Sequence, residues 1–344
     1  MKKQSTSKKT NFLKKIFIKI CRLLGYEIID QSNYFVPTLK RNLDENLNIP
    51  GKKSITIPLG ETKITRKISS LKIIFRSCTS VNMLTQSKKR LFESNKSEYT
   101  FRSLNSIIKA ANFAKSSFPN INIDIAVIDH NSSSNDLIQI KKQLQNSKLK
   151  NSITSLDVNK FINKIDKINS KKETVSENQI SNMSNIHESL LLADRSDSDL
   201  IYFVEDDYIH QKDAFYEMIF SYERISSQLN NELILCPIDY PYLYIKPNLT
   251  NIFLGTNKHW RRVDETLCTF LTSKLVVKKH WNKFISMCLH EHYPFEQPLH
   301  DIYKDEFCLS PIPSLAFHCT NINSVFGLSP NINWKKIWDE NGDY

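Results

Sequence analysis

Three consecutive carboxylates, Glu205, Asp206 and Asp207, directly follow the apolar run LIYFV at residues 200–204. Burying an unpaired carboxylate costs free energy, and neighbouring carboxylates repel one another unless a cation compensates them. Mg²⁺ and Mn²⁺ prefer carboxylate oxygens, and proteins often bind them with one or two carboxylates together with substrate phosphates. The triplet therefore predicts a divalent-cation site, and the alternative is an acidic turn exposed to solvent.

A second acidic loop is centred on Asp129, in the segment VIDHNSSSND at residues 127–136. A carboxylate after a strand can accept hydrogen bonds from a base or a ribose, and the serine-rich turn offers backbone amides at a helix N-terminus. Plain helix capping is the alternative, because Asp, Asn and Ser are favoured capping residues.

Apolar strands alternate with amphipathic helices from residue 71 onward, and this pattern defines the predicted fold. Strands are predicted over 71–77, 121–129, 151–158, 200–204 and 232–238, and helices over 98–118, 137–145, 182–196 and 212–225. Such alternation is typical of an α/β fold with a mostly parallel sheet covered by helices on both faces. Both acidic loops then lie at the carboxyl ends of strands, where α/β sheets bind ligands.

Residues 71–213 resemble the nucleotide-sugar half of a GT-A glycosyltransferase, most closely one of the family 2 type. The resemblance rests on IAVIDHNSSSND, on the helix NMSNIHESLLLA and on LIYFVEDDYIHQKDAFYEM, whose E-D-D triplet is similar to the D-x-D metal motif of that class. His130 and Asn131 stand where the family usually has Asp and Gly. The resemblance implies a Rossmann-like GT-A fold and an inverting transfer of a sugar from a nucleoside-diphosphate sugar to a hydroxyl acceptor. That acceptor would be a glycan, a lipid-linked molecule or a surface polysaccharide.

The same resemblance implies roles for individual residues. Asp207 would ligate a Mn²⁺ or Mg²⁺ ion that bridges the diphosphate. The donor site would comprise Arg76, Asp129, Asn131, Glu205 and Asp206, of which Asp129 faces the nucleoside and the two acids face the sugar, the ribose or the waters of the metal.

The acceptor half is expected over residues 214–330, and it must supply a carboxylate that takes a proton from the acceptor hydroxyl. In the resembled family this base lies near the start of a helix. The segment QPLHDIYKDEF favours Asp301, with Asp264 as the alternative. His318 follows an apolar run and is either a second metal ligand or a structural histidine. Residues 331–344 form a tail that either closes over the site or packs on the domain.

The positive charge of the chain is concentrated at its N-terminal end. Of the net charge of +11, residues 1–70 carry 15 Lys and Arg against 5 Asp and Glu, whereas the remainder carries 32 against 31. A near-neutral main body argues against a nucleic-acid partner. Residues 11–25 predict a basic amphipathic helix that either touches an anionic membrane surface or packs on the protein itself. Residues 26–70 are predicted to be a linker or a small accessory segment, and the whole of 1–70 an extension of the domain at 71–330.

The cysteines bear on the cellular compartment of the protein, and the segment after the first strand bears on the alternative functions. The seven cysteines contain no C-x-x-C pair, which favours free thiols in the cytoplasm, with the basic helix allowing peripheral contact with the membrane. A nucleotidyltransferase would need a glycine-rich phosphate loop after the first strand, and FRSCTSVNMLTQSKKR contains no glycine. A catalytically silent sugar- or surface-binding protein on the same fold stays open as the alternative.

Overall fold

The computed structural model describes residues 12–26, 54–57, 60–80, 91–245, 250–320 and 322–344. Its helices are α1 (Phe12–Leu23), α2 (Lys96–Ser117), α3 (Ser134–Asn146), α4 (Glu177–Arg195), α5 (Ala214–Leu229), α6 (Lys274–Lys279), α7 (Trp281–Leu289), α8 (Gln297–Tyr303) and α9 (Trp334–Glu340). Its strands are β1 (Ser54–Ile57), β2 (Gly60–Lys63), β3 (Ser70–Ser77), β4 (Asn122–Asp129), β5 (Lys150–Ser155), β6 (Leu200–Glu205), β7 (Tyr208–His210), β8 (Leu233–Leu235), β9 (Ile252–Leu254), β10 (His259–Arg262), β11 (Phe270–Ser273), β12 (Phe307–Ile312) and β13 (Ala316–His318).

The described residues build a nine-stranded sheet in the order β5-β4-β3-β6-β11-β8-β12-β10-β9. The four strands of the predicted donor half, β5, β4, β3 and β6, are all parallel to one another. Only β11 and β10 run against the other seven strands. The predicted α/β fold with a mostly parallel sheet and flanking helices is therefore confirmed.

Side chains of the central strands are buried on both faces of the sheet. On one face, Leu71, Ile73 and Phe75 of β3 belong to a core that includes residues of α2 and α5. On the other face, Ile74 belongs to a core with residues of α4, α7 and α8. A strand covered on both faces reads as a continuous apolar run, which is why these strands were legible in the sequence.

Strand pairing aligns the chemically interesting residues at one edge of the sheet. In the parallel registers, Ser77 pairs with Asp129 and Arg76 pairs with Glu205. A separate two-stranded ribbon of β7 and β13 sets Tyr208 opposite His318. This ribbon was not predicted, and it brings the C-terminal part of the chain to the acidic triplet.

Parts of the predicted extension and tail pack on the domain. Ile64 and Ile68 are buried, and Arg66 forms an ion pair with Glu232 at 2.8 Å, so these linker residues belong to the domain surface. In the tail, Trp338 stacks on Phe92 with 4.0 Å between ring centroids. Of the two arrangements predicted for the tail, packing on the domain is the one seen around Trp338. Most of the predicted linker, residues 27–53, lies outside the described residues.

Gly255 provides a test of how the outer strands are held. The buried carboxylate of Glu217 accepts hydrogen bonds from the backbone amides of Thr256 and Asn257, both at 2.9 Å, and from Trp260 Nε1 at 3.3 Å. A Cβ on Gly255 would lie 2.1 Å from Glu217 Oε1 and 2.6 Å from Trp260 Nε1. We expect Gly255→Ala to lower the free energy of unfolding by about 3 kcal/mol in urea denaturation.

Gly342→Ala is the control for this substitution. The atoms nearest to its Cβ would be those of the Arg102 guanidinium, at 2.7–3.0 Å, and this group can shift because it ends a long side chain, although it is hydrogen-bonded to Glu98 and Trp338. A loss of less than about 1 kcal/mol is expected there. Equal losses for the two variants would contradict the close contact with Glu217.

Candidate active site

Each carboxylate of the acidic triplet has its own cationic partner within the protein. Arg76 Nη2 lies 2.9 Å from Glu205 Oε1, and the Lys96 ammonium forms an ion pair with Asp206. His318 Nε2 lies 3.1 Å from Asp207 Oδ2. The repulsion predicted from the sequence is thus compensated by side chains, and the triplet alone does not require a bound metal ion.

Asp206 is the anchor of the triplet. Its buried carboxylate accepts hydrogen bonds from the Cys78 amide at 3.1 Å and from Thr100 Oγ1 at 2.8 Å, in addition to the ion pair with Lys96. Burial alone would lower the pKa of Lys96, but Asp206 and Asp207 raise it above its ordinary value. Because its oxygens are engaged by α2 and by the end of β3, Asp206 holds the loop in place.

Asp207 has one engaged oxygen and one without a partner. Oδ2 accepts from Thr320 Oγ1 at 2.9 Å and lies beside His318, whereas Oδ1 is buried with no hydrogen-bond partner among the described residues. Burial alone would raise the pKa of Asp207, yet His318, Lys96 and Thr320 together hold it well below its ordinary value. Conversely, Asp207 raises the pKa of His318 despite the burial of the imidazole.

The imidazole of His318 is fixed by its surroundings. Its ring stacks on Tyr208 with 4.6 Å between centroids, and Nε2 also lies 2.7 Å from Thr320 Oγ1. The structure therefore brings together Asp207 and His318, the two residues predicted as metal ligands from distant parts of the sequence.

Glu205 differs from Asp207 in exposure and in the direction in which its surroundings shift its pKa. About a third of its side chain, 32%, is exposed, and Arg76 is held between Glu205 and Asn182 Oδ1, the latter at 3.0 Å. Withdrawal from bulk solvent raises the pKa of Glu205, an effect that Arg76 opposes and Asp207 reinforces. Glu205 is therefore the member of the triplet most open to a ligand.

The side chain of Asp129 stabilises the turn in which it lies. The buried carboxylate accepts from Ser77 Oγ and Ser132 Oγ, each at 2.6 Å, and from the Ser132 amide at 3.2 Å. Ser133 caps α3 through the Asp136 amide. Asn131 is exposed and adopts a left-handed conformation with φ of 59°. The helix cap of this loop is therefore Ser133, whereas Asp129 closes the turn through Ser77 and Ser132, and Asn131 stays open to solvent.

The two predicted bases are both at the surface. Asp301 lies in the last turn of α8, where Lys304 Nζ is 2.6 Å away, and this contact lowers the pKa of the carboxyl. Asp264 is exposed in the connection between β10 and β11. A carboxylate that is solvated and paired with lysine is a weak proton acceptor, so the geometry does not favour Asp301.

Glu296 is the carboxylate that sequence reasoning missed. It immediately precedes α8, and its side chain makes no capping bond. Burial, reinforced by Glu205, raises the pKa of Glu296 to about 7, while its own backbone, His318 and Arg76 oppose the shift. Pro298 at the second helical position marks this helix start in the sequence and could have pointed to Glu296.

The donor groups around Asp207 decide whether the site fits a divalent cation. The described residues contain no group of three or more His, Cys, Asp or Glu side chains placed to hold a metal ion. The buried, unpartnered Asp207 Oδ1 beside His318 fits a cation that takes its remaining ligands from substrate phosphates and water.

The chain has distant likenesses to known proteins. No family model and no curated protein matches the sequence. The chain is similar to S. aureus TarS at 11% identity and a TM-score of 0.34, covering 61% of this chain and 29% of that chain. It is similar to the galactosyltransferase LgtC in complex with donor and acceptor sugar analogs, at 12% identity and a TM-score of 0.30, covering 67% of this chain and 66% of that chain. It is also similar to UDP-glucose pyrophosphorylase complexed with UDP-glucose, at 6% identity and a TM-score of 0.37, covering 80% of this chain and 97% of that chain. Likenesses this distant carry no conclusion about activity.

Proposed function

We propose that the protein is a metal-dependent, inverting glycosyltransferase with a GT-A fold, which transfers a sugar from a nucleoside-diphosphate sugar to a hydroxyl of a glycan or lipid-linked acceptor. The observation that carries this proposal is that two carboxyl groups, Asp207 and Glu296, have surroundings that shift their pKa values in opposite directions. Asp207 offers a buried, unpartnered oxygen beside His318, and Glu296 offers a carboxyl with a pKa of about 7. Pairs of acids whose pKa values are pushed apart are typical of sites that both bind a cation and move a proton.

Asp207 and His318 are the residues that would hold Mn²⁺ or Mg²⁺. When bound, the cation would offset the negative charge of the diphosphate, including the charge that develops on it as it leaves. The chain contributes a fixed geometry, because Thr320 and Tyr208 hold the two ligand side chains in place. Such preorganisation avoids reorganisation during the reaction.

The donor sugar would lie against Glu205 and Arg76. Glu205 can accept hydrogen bonds from sugar hydroxyls through its exposed part, while Arg76 keeps its carboxylate oriented. Asn131 is the open position at the turn after β4 and would contact the nucleoside. Asp129 and Asp206 would act indirectly, by shaping the loops that carry these groups.

Glu296 would take the proton from the acceptor hydroxyl. A general base works best when its pKa lies near the working pH, and a value of about 7 meets this condition. Its electrostatic coupling to Glu205, His318 and Arg76 supports a position at the same site as the donor. Asp301, within the helix that Glu296 precedes, lacks such coupling and is paired with Lys304.

Metal-dependent nucleotide binding is the direct test of the cation site. In titration calorimetry, UDP or GDP is expected to bind at least about tenfold more tightly with Mn²⁺ than with EDTA, because a cation held by Asp207 and His318 would offset the negative charge of the phosphates. His318→Gln should weaken the Mn²⁺-dependent binding by a similar factor.

A matched control for this experiment is His290→Gln. His290 Nδ1 lies 2.5 Å from Asp166 Oδ2 in a second His–Asp pair, which is half-exposed on the surface. Its loss should leave nucleotide binding unchanged. Equal affinity in Mn²⁺ and EDTA would contradict the metal site and would leave Lys96, Arg76 and His318 as the cationic groups at the triplet among the residues that the structure describes.

Product analysis separates the competing functions. A glycosyltransferase releases a nucleoside diphosphate from the donor, whereas a nucleotidyltransferase releases pyrophosphate from a nucleoside triphosphate. A silent binding protein would bind nucleotide or sugar without releasing either product, and that outcome would overturn the proposed activity.

A further inference from the structure

One side of α1 is apolar along its length and is exposed. Its face is formed by six residues at helical spacing, of which 41–80% of the surface is accessible: Phe12, Leu13, Ile16, Phe17, Ile20 and Leu23. Helices of globular domains normally bury such a face. The described part of the chain leaves it largely uncovered, so packing on the protein's own domain is not the arrangement seen for these residues.

The sequence around this helix carries charge of one sign. Residues 1–26 contain seven lysines, one arginine and no Asp or Glu. A helix with an apolar face and a basic remainder is suited to the boundary between lipid headgroups and acyl chains, where lysine stems extend towards anionic headgroups.

We infer that α1 docks the protein on an anionic lipid surface, with this apolar face inserted at the headgroup boundary. The helix has 12 residues, which corresponds to a length of about 18 Å, whereas the hydrocarbon core of a bilayer is about 30 Å thick. No described helix is both long enough and apolar enough to span a membrane. The helix therefore lies on the membrane and does not cross it.

A second copy of the chain is a poorer occupant of this face. A stable coiled coil needs about three or four heptads, and α1 has fewer than two. Pairing two copies would also bring two segments of uniformly positive charge together. Anionic lipid removes that repulsion as it covers the apolar residues.

Vesicle flotation with the full-length chain tests this inference. Binding to vesicles of phosphatidylcholine with phosphatidylglycerol is expected to be at least about tenfold tighter than to phosphatidylcholine alone, and to weaken as salt is raised. Phe17→Glu places a charge in the apolar face and should reduce binding at least about tenfold. Ile138→Glu is the matched control, because Ile138 is 64% exposed on α3 and its change should leave binding intact.

Several outcomes would overturn the inference. Equal binding to neutral and anionic vesicles would remove the charge argument, and full binding by Phe17→Glu would remove the apolar face. A concentration-dependent dimer abolished by Phe17→Glu, without lipid binding, would identify a second copy as the occupant. Nucleotide titration of Phe17→Glu should match the wild type, so failure of the docking surface and failure of the proposed activity are distinguishable.

Discussion

Replacing Asp207 by asparagine is expected to reduce sugar transfer by about 10²–10³-fold, measured as nucleoside diphosphate released in the presence of acceptor and Mn²⁺. Asparagine keeps the size of the side chain and an oxygen that Thr320 can bind. It removes the negative charge that is buried next to His318 and the carboxylate oxygen that has no partner. The loss should therefore appear in both Mn²⁺-dependent nucleotide binding and turnover.

Asp213→Asn is the control for this substitution. Asp213 lies shortly after the triplet and directly precedes α5. Its side chain makes no capping hydrogen bond to this helix. Its replacement should change turnover by less than about threefold, a difference worth roughly 0.6 kcal/mol. Unchanged thermal unfolding of both variants would show that the fold is intact. Full activity of Asp207→Asn would refute the role assigned to Asp207.

Replacing Glu296 by glutamine is expected to lower the turnover number by about 10²–10⁴-fold with little change in donor affinity. In the wild type, the rate should rise with pH up to about 7 and then level off, because Glu296 must lose its proton before it can accept one. The variant should lose this rise, since glutamine does not titrate. The measurement is the pH profile of turnover at saturating donor.

Asp301→Asn compares the candidate base within α8 with Glu296, which precedes this helix. Asp301 is paired with Lys304, and the variant is expected to retain most of its activity and the pH profile of the wild type. The reverse result, with activity lost in Asp301→Asn and kept in Glu296→Gln, would restore the base predicted from the sequence.

The raised pKa of Glu296 also has a consequence for stability. The folded protein holds this proton more tightly than the unfolded chain does, so ionised Glu296 destabilises the fold above pH 7. This destabilisation is absent below the ordinary pKa of a glutamate, about 4.3, because Glu296 is then protonated in both the folded and the unfolded chain. Glu296→Gln should therefore melt at a higher temperature than the wild type at about pH 8, and the difference should shrink towards about pH 5. An identical melting temperature at every pH would contradict the raised pKa of Glu296.

The sequence alone determined the elements of the donor half. β3, β4 and β6 and their helices were legible because hydrophobic periodicity is a local property, and each strand is buried on both faces. The position of the two acidic loops at one edge followed from the parallel arrangement. The exposed apolar side of α1 was also local information, although only the structure showed that the described residues leave it uncovered.

The tertiary structure alone decided which groups meet at that edge. Lys96 and His318 contact the triplet across sequence separations of 110 and 111 residues, and no local pattern encodes such contacts. They supply positive charge beside the triplet that the sequence had attributed to a metal alone. Glu296 was missed for the same reason, since its pKa depends on burial and on Glu205, Arg76 and His318. Residue types and spacing therefore located the site, whereas the charge state of each carboxylate is set by neighbours that only folding brings together.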